Sequence, residues 1–247
     1  MKALKGLLPI FVFIFAACSH LADVDTSTAE GAFKKAQLFE EASRFQEAIS
    51  QYNTVKNKFP YHKLATEAEL KIADIEFERQ NFIEAQYAYE LFKSLHPKHP
   101  KIDYVIYRQA MSLFNQIPEV IARDLSAAPQ AIDIYDELIM KHPNSEYIAR
   151  AKDYRQKTLD KLAQKELYIA DFYYKRETFS SALGRYENII RQFPDVGLRS
   201  KALYRASYSA LKAEQKDKAR LYYNQLIKEY PKSSEAKKAK DIANELR

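Results

Sequence analysis

Ala48-Ile49-Ser50-Gln51-Tyr52-Asn53-Thr54-Val55-Lys56-Asn57-Lys58-Phe59-Pro60 decides the fold, because its frame returns four more times in the chain. An alanine followed twelve residues later by proline recurs as Ala48 to Pro60, Ala85 to Pro97, Ala131 to Pro143, Ala182 to Pro194 and Ala219 to Pro231. Four after each alanine stands a tyrosine (Tyr52, Tyr89, Tyr135, Tyr186, Tyr223), and seven after it a large apolar residue (Val55, Phe92, Leu138, Ile189, Leu226). Spacings of four and seven lie on one helical face, and proline cannot continue the helix that carries them. Twelve before the alanine come Ala36, Ala73, Ala170 and Ser207; three before it come Phe45, Phe82 and Phe179, while Ala128 and Lys216 break that last column. Small residues at two sites let paired helices approach closely, and the tyrosine fills the gap beside them.

A helix-turn-helix unit of about 34 residues with small residues on both helices, aromatics between them and a closing proline matches the tetratricopeptide pattern. The predicted fold is therefore an all-α solenoid of five helix pairs plus a C-terminal capping helix. The prolines are spaced by 37, 46, 51 and 37 residues, so the array is irregular in its middle. In the third unit Ala110 lies 21 residues before Ala131 instead of twelve, which places a nine-residue insertion within 115–129; Pro118 and Pro129 predict a loop there. The stretch Glu146 to Gln164 predicts a lengthened first helix in unit four. Segment 233–247 carries Ala236, Ala239, Ile242, Ala243 and Leu246 on one face and lysines on the other, the pattern of a capping helix.

Gly is scarce, at 4 residues, and Trp absent, which favours helices over the Gly-rich turns of β-proteins. Charged residues make up 29% of the chain and exclude a polytopic membrane protein. The formal charge of +6 includes Lys2 and Lys5 in a segment expected to be removed, leaving +4 by subtraction. Basic and acidic residues are interspersed, so no nucleic-acid partner is expected.

The amino terminus reads as an export signal: Lys2 and Lys5, an apolar run from Gly6 to Phe15, then Ala16-Ala17 before Cys18, the chain's single cysteine. The run is too short for a spanning helix of about 20 residues. Phe15-Ala16-Ala17-Cys18 resembles the bacterial lipobox, with Phe15 in place of the usual Leu. The resemblance implies removal of residues 1–17 and lipidation of Cys18, and two or three acyl chains at about 0.8 kcal/mol per buried methylene anchor a protein stably. Ser19 in the sorting position implies the outer membrane. Residues 18–29 read as a flexible linker that reaches about 35 Å when extended. Repeats one to three then fill 30–144, and repeats four and five with the cap fill 145–247.

No catalytic signature emerges. The five histidines are His20, His62, His96, His99 and His142, and no two lie four apart on a predicted helix. His96-Pro97-Lys98-His99 lacks the further ligands a metal site needs, and no glycine-rich phosphate loop exists. Neither metal nor cofactor is expected beyond the lipid on Cys18. Binding is the remaining function, and a solenoid of helix pairs offers its first helices as a groove. The frame places Phe33 and Gln37 in that groove in unit one, Leu70, Asp74 and Phe77 in unit two, and Tyr104, Tyr107, Met111 and Phe114 in unit three. Such a set suits an extended chain anchored by aromatic and apolar side chains.

Lys98-His-Pro-Lys-Ile-Asp-Tyr-Val-Ile-Tyr107 resembles the opening of the third repeat in the BamD family, the lipoproteins of the β-barrel assembly machinery. Lys58-Phe-Pro60, Arg123-Asp124, Pro143-Asn-Ser-Glu-Tyr147, and Leu162-Ala-x-x-Glu166 ahead of Tyr173-Tyr174 extend the resemblance over nearly the whole chain. It implies a non-enzymatic scaffold facing the periplasm. Its C-terminal repeats would dock on a POTRA domain of a BamA-like barrel protein beside other assembly lipoproteins, and its N-terminal repeats would receive targeting signals of unfolded outer-membrane proteins. Arg185, in Ala182-Leu-Gly-Arg185-Tyr186, matches the family's POTRA-contacting arginine. The alternatives are a pilotin-like lipoprotein that assists secretin assembly, and an envelope enzyme with a buried carboxylate or histidine in a cleft.

Overall fold

The structure, a computed structural model, describes residues 24–246. Cys18, His20 and the expected signal peptide lie outside these residues. Within them the repeat frame becomes five helix pairs: α1 (Ala29–Glu41) and α2 (Phe45–Lys58), α3 (Lys63–Glu78) and α4 (Phe82–Leu95), α5 (Ile102–Gln116) and α6 (Ala127–Lys141), α7 (Ile148–Lys175) and α8 (Phe179–Gln192), α9 (Arg199–Lys212) and α10 (Lys216–Glu229). The chain closes with α11 (Ser234–Lys238) and α12 (Lys240–Glu245). No strand occurs among the described residues, and none of their helices is long and apolar enough to cross a membrane. The fold is a tetratricopeptide-type helical solenoid. By their contacts the described residues form two compact units, 24–105 and 106–246, each with its own core.

The frame residues are the core. Ala48, Ala85, Ala131, Ala182 and Ala219 are fully buried, as are Ala36, Ala73, Ala110, Ala170 and Ser207 on the facing helices. The serine in this set keeps its hydroxyl satisfied by donating to the Ala219 carbonyl at 2.8 Å, so a polar residue can stand where alanine is usual. Tyr52, Tyr89, Tyr135 and Tyr186 are buried to 0% exposure beside these alanines, whereas Tyr223 in the last repeat is half-buried.

Ser43, Gln80, Glu177 and Glu214 each lie five residues before the frame alanine and join the two helices of repeats one, two, four and five in the left-handed region, at φ of 56°, 62°, 59° and 60°. At each turn two backbone bonds wrap back, as from Gln80 N–H to the Phe77 carbonyl and Asn81 N–H to the Glu76 carbonyl. This satisfies carbonyls the ending helix leaves open, a motif that usually takes glycine. None of the chain's glycines stands at these turns.

Three expectations are refined. The third-repeat insertion is a loop over 117–126 only, because α6 already begins at Ala127 and takes Pro129 into its first turn. A proline there loses nothing, since first-turn N–H groups have no intrahelical acceptor. The cap is interrupted at Ala239 and forms two short helices. In the linker, Asp25 accepts from the Ser27 amide and hydroxyl, both at 2.8 Å, and Thr28 caps α1 through the Gly31 amide at 3.1 Å. A side chain at 31 would collide with the Asp25 carbonyl, so glycine admits this approach. The lengthened first helix of unit four is α7, of 28 residues.

Candidate functional site

In the first unit, four of the predicted groove residues meet. Phe33 and Gln37 from α1 and Leu70 and Asp74 from α3 line a cavity of about 360 Å³, joined by Lys71 and by the turn residues His99 to Lys101. Phe33 and Leu70, 7% and 5% exposed, also serve the core and form an apolar floor. Asp74 is held from two sides, accepting the Tyr89 hydroxyl at 2.6 Å and the Tyr104 hydroxyl at 2.7 Å on the same Oδ1. Lys71 pairs with Glu40 at 2.8 Å, and Glu40 in turn accepts the Tyr52 hydroxyl at 2.6 Å. Burial, then the neighbouring charges of His96 and Lys101, pushes His99 below the usual histidine range. The cavity thus combines an apolar floor with fixed polar walls, and its size accepts one large side chain. Phe77 turns instead onto Phe82, ring centres 5.3 Å apart.

In the second unit, the predicted groove residues of α5 are engaged with α6 and α7. Tyr107 stacks on Tyr147 at 5.0 Å under the guanidinium of Arg150, Met111 Sδ receives the Tyr135 hydroxyl at 3.2 Å, and Phe114 packs edge-on against Tyr154 at 4.9 Å. Arg185 lies on α8, 40% exposed, and reaches Glu166 on α7 at 3.3 Å. An ion pair of this exposure contributes about 0–1 kcal/mol.

Buried tyrosines hold the strongest electrostatic perturbations. Burial, then the bond to Glu40 or Asp171, pushes Tyr52 and Tyr186 far above the tyrosine range, and burial leads the same shift in Tyr135. These are structural groups in the repeat cores. Among the described residues no cluster of three or more His, Cys, Asp or Glu is placed to hold a metal ion. His62 caps α3 by accepting the Leu64 amide, and His96 bonds Glu69 at 2.8 Å.

Lys71, His99 and Lys101 were not legible as cavity residues. The last two sit in the junction turn after Pro97, where the helical frame assigns no face. Tyr168 and Phe172 could have been found, since they stand one turn apart on α7 and are 52% and 45% exposed.

The family described as outer membrane lipoprotein, YfiO, matches residues 25–203, and a tetratricopeptide repeat family matches 201–233. Relatives from several bacteria carry the name outer membrane protein assembly factor BamD. That of Neisseria meningitidis serogroup A is 28% identical over 72% of this chain and 73% of its own; that of Rickettsia prowazekii is 26% identical over 94% and 92%; that of Pasteurella multocida is 23% identical over 98% and 95%. Among solved structures, the TPR2AB domain of yeast Sti1 superposes at a TM-score of 0.43 with 15% identity over 86% of this chain and 81% of its own, too loosely to bear on the site. The family match covers well over half of the chain and ends where the last tetratricopeptide unit begins: the chain belongs to the YfiO family of outer membrane lipoproteins, with BamD assembly factors among its relatives.

Proposed function

We propose that this protein is a non-enzymatic scaffold of outer-membrane protein assembly, held at the periplasmic face of the outer membrane by lipid on Cys18. The cavity of the first unit receives apolar side chains from targeting segments of unfolded β-barrel proteins. The α8 face around Arg185 docks a POTRA domain of a BamA-like barrel protein, with other assembly lipoproteins nearby. The observation that carries the reading is the family match over 25–203, joined to relatives named as assembly factors over more than nine-tenths of both chains. The cavity floor of Phe33 and Leu70 supports the substrate side, and the weakly committed Arg185 supports the docking side.

Affinity recovery of the chain from detergent-solubilised membranes is expected to bring a POTRA-bearing barrel protein with it. A recovered complex without one sinks the assembly reading. Arg185→Glu is expected to lower that recovery by about tenfold, the loss of one charge-assisted contact and gain of a repulsive one, with circular dichroism unchanged. Loss of helical signal in this variant would make Arg185 structural, and full recovery would move the docking face elsewhere.

A further inference from the structure

The second unit holds a cation that the docking surface does not use. Several of its long cations are matched by carboxylates: Arg155 lies 2.6 Å from Asp136, Arg199 2.9 Å from Glu229, Lys201 2.9 Å from Asp171 and Lys218 2.9 Å from Glu187. Arg205 on α9 has no carboxylate partner among the described residues. Its guanidinium carbon sits 3.9 Å from the centre of the Tyr174 ring, and with Tyr174, Phe179 and Tyr208 it lines a cleft of about 270 Å³. The three rings stand 5.6 to 5.9 Å apart and fix the box. A guanidinium lying over a ring keeps its in-plane N–H groups free for an anion.

Two carboxylates border the cleft. Asp171 is already spent, since Oδ1 accepts the Tyr186 hydroxyl at 2.6 Å and Oδ2 pairs with Lys201 at 2.9 Å. Glu177 stands exposed in the turn, and Lys175, which also lines the cleft, matches its charge in number. Arg205 therefore leaves the cleft one positive charge in excess. Asp171 and Lys175 also border a second cleft of about 440 Å³, walled by Leu167, Tyr168 and Phe172. Tyr168 to Lys175 spans seven residues of helix, about 10 Å. Residues two apart in an extended peptide point the same way and lie about 6.6 Å apart, so their side chains can enter both clefts at once.

We propose that this α7–α9 face binds an extended segment of a partner protein in which an acidic side chain lies two residues from an aromatic one. The carboxylate pairs with Arg205, and the aromatic ring lies on Tyr168 and Phe172. The site includes neither Arg185 nor any residue of the first-unit cavity, so it holds whether or not the assembly reading does.

The test uses the purified full-length chain and an end-blocked, fluorescein-labelled nine-residue Ser/Thr peptide carrying one Asp and, two residues on, one Phe. Fluorescence anisotropy is expected to show saturable binding that weakens about tenfold when the peptide Asp becomes Asn, and about as much when Phe becomes Ala. Arg205→Gln is expected to weaken the Asp peptide about tenfold and leave the Asn peptide unchanged. Equal binding of Asp and Asn peptides by the unaltered protein overturns the proposal, as does binding only by a peptide with a free carboxyl terminus. Should Arg205→Gln lose helical signal, Phe172→Ser, a change at an exposed side chain, carries the protein-side arm: loss of the Phe peptide's advantage over the Ala peptide supports the site, and an unchanged advantage overturns it.

Discussion

The third repeat and its neighbours share one packing frame but differ in everything polar around it. Ala110, Ala131, Tyr135 and Leu138 are as fully buried as Ala73, Ala85 and Tyr89 in repeat two or Ala170, Ala182 and Tyr186 in repeat four. Yet Tyr89 and Tyr186 donate to Asp74 and Asp171 at 2.6 Å, while Tyr135 donates to a thioether, Met111, at 3.2 Å. Repeats two and four turn through a left-handed residue, and repeat three replaces that turn by the loop 117–126. Apolar packing is thus the part of a repeat that cannot be dropped. The carboxylate latch and the tight turn can be, and the repeat that sheds both is the one that accommodates an insertion.

Alkaline pH should act most strongly, because it attacks the buried frame tyrosines of several repeats at once. Burial is the leading cause of the raised Tyr52, Tyr135 and Tyr186, with or without a carboxylate, and it helps push half-buried Tyr222, bonded to Glu187, up to about 12. Below pH 10 folded and unfolded chains both keep these protons. Above it the unfolded chain releases them and the folded chain does not, so the unfolded state binds fewer protons and stability falls as pH rises. Urea midpoints should hold steady from pH 8 to 9.5 and then drop, with tyrosinate absorbance appearing together with helix loss. Tyrosinate that titrates fully at pH 11 in a still helical protein would contradict the burial.

Removing the latches comes next. Tyr89→Phe and Tyr186→Phe each delete a hydrogen bond to a charged acceptor, a loss of about 1.5–3 kcal/mol. Tyr135→Phe deletes only a bond to a weak thioether acceptor and should cost less than about 1 kcal/mol. Denaturant titration of the three variants decides the matter. Equal losses at all three would place the difference between repeats in ring packing and not in the acceptor.

The frame alone made the helix pairs legible, because alanine, tyrosine and proline recur at fixed offsets and each has one physical job. The latches were half legible. Asp74 and Asp171 both stand one residue after the small residue of the first helix, and at that register Asp74 was assigned to the groove, whereas its Oδ1 also closes the core. In repeat one the same register holds Gln37 and the acceptor is Glu40, one turn later, so alignment could not show it. Leu70 and Tyr107 were placed by helical phase, which tells which way a side chain leaves its own helix and not what covers it. Charges that meet across repeats, Lys71 with Glu40 or Lys201 with Asp171, lie about thirty residues apart and follow no local rule.

The turns offer the smallest effect and the clearest sign. Gln80 and Glu214 hold φ of 62° and 60° with exposed side chains, a conformation that crowds the Cβ of any L-residue and that glycine adopts freely. Glycine also raises the entropy of the unfolded chain, which subtracts from the relief. The balance at Gln80→Gly or Glu214→Gly should be a gain of about 0.5–1 kcal/mol. Ser126 occupies the same frame position in repeat three, but its φ is −59°, so no strain is there to relieve. Ser126→Gly should therefore lower stability by about a few tenths of a kcal/mol, since it loses the exposed hydroxyl bond to Asp124 and gains unfolded-chain entropy. Urea midpoints that rise for the first two variants and fall for the third would tie the missing left-handed turn to the insertion; a rise at all three would mean that the third repeat carries the same turn strain as its neighbours.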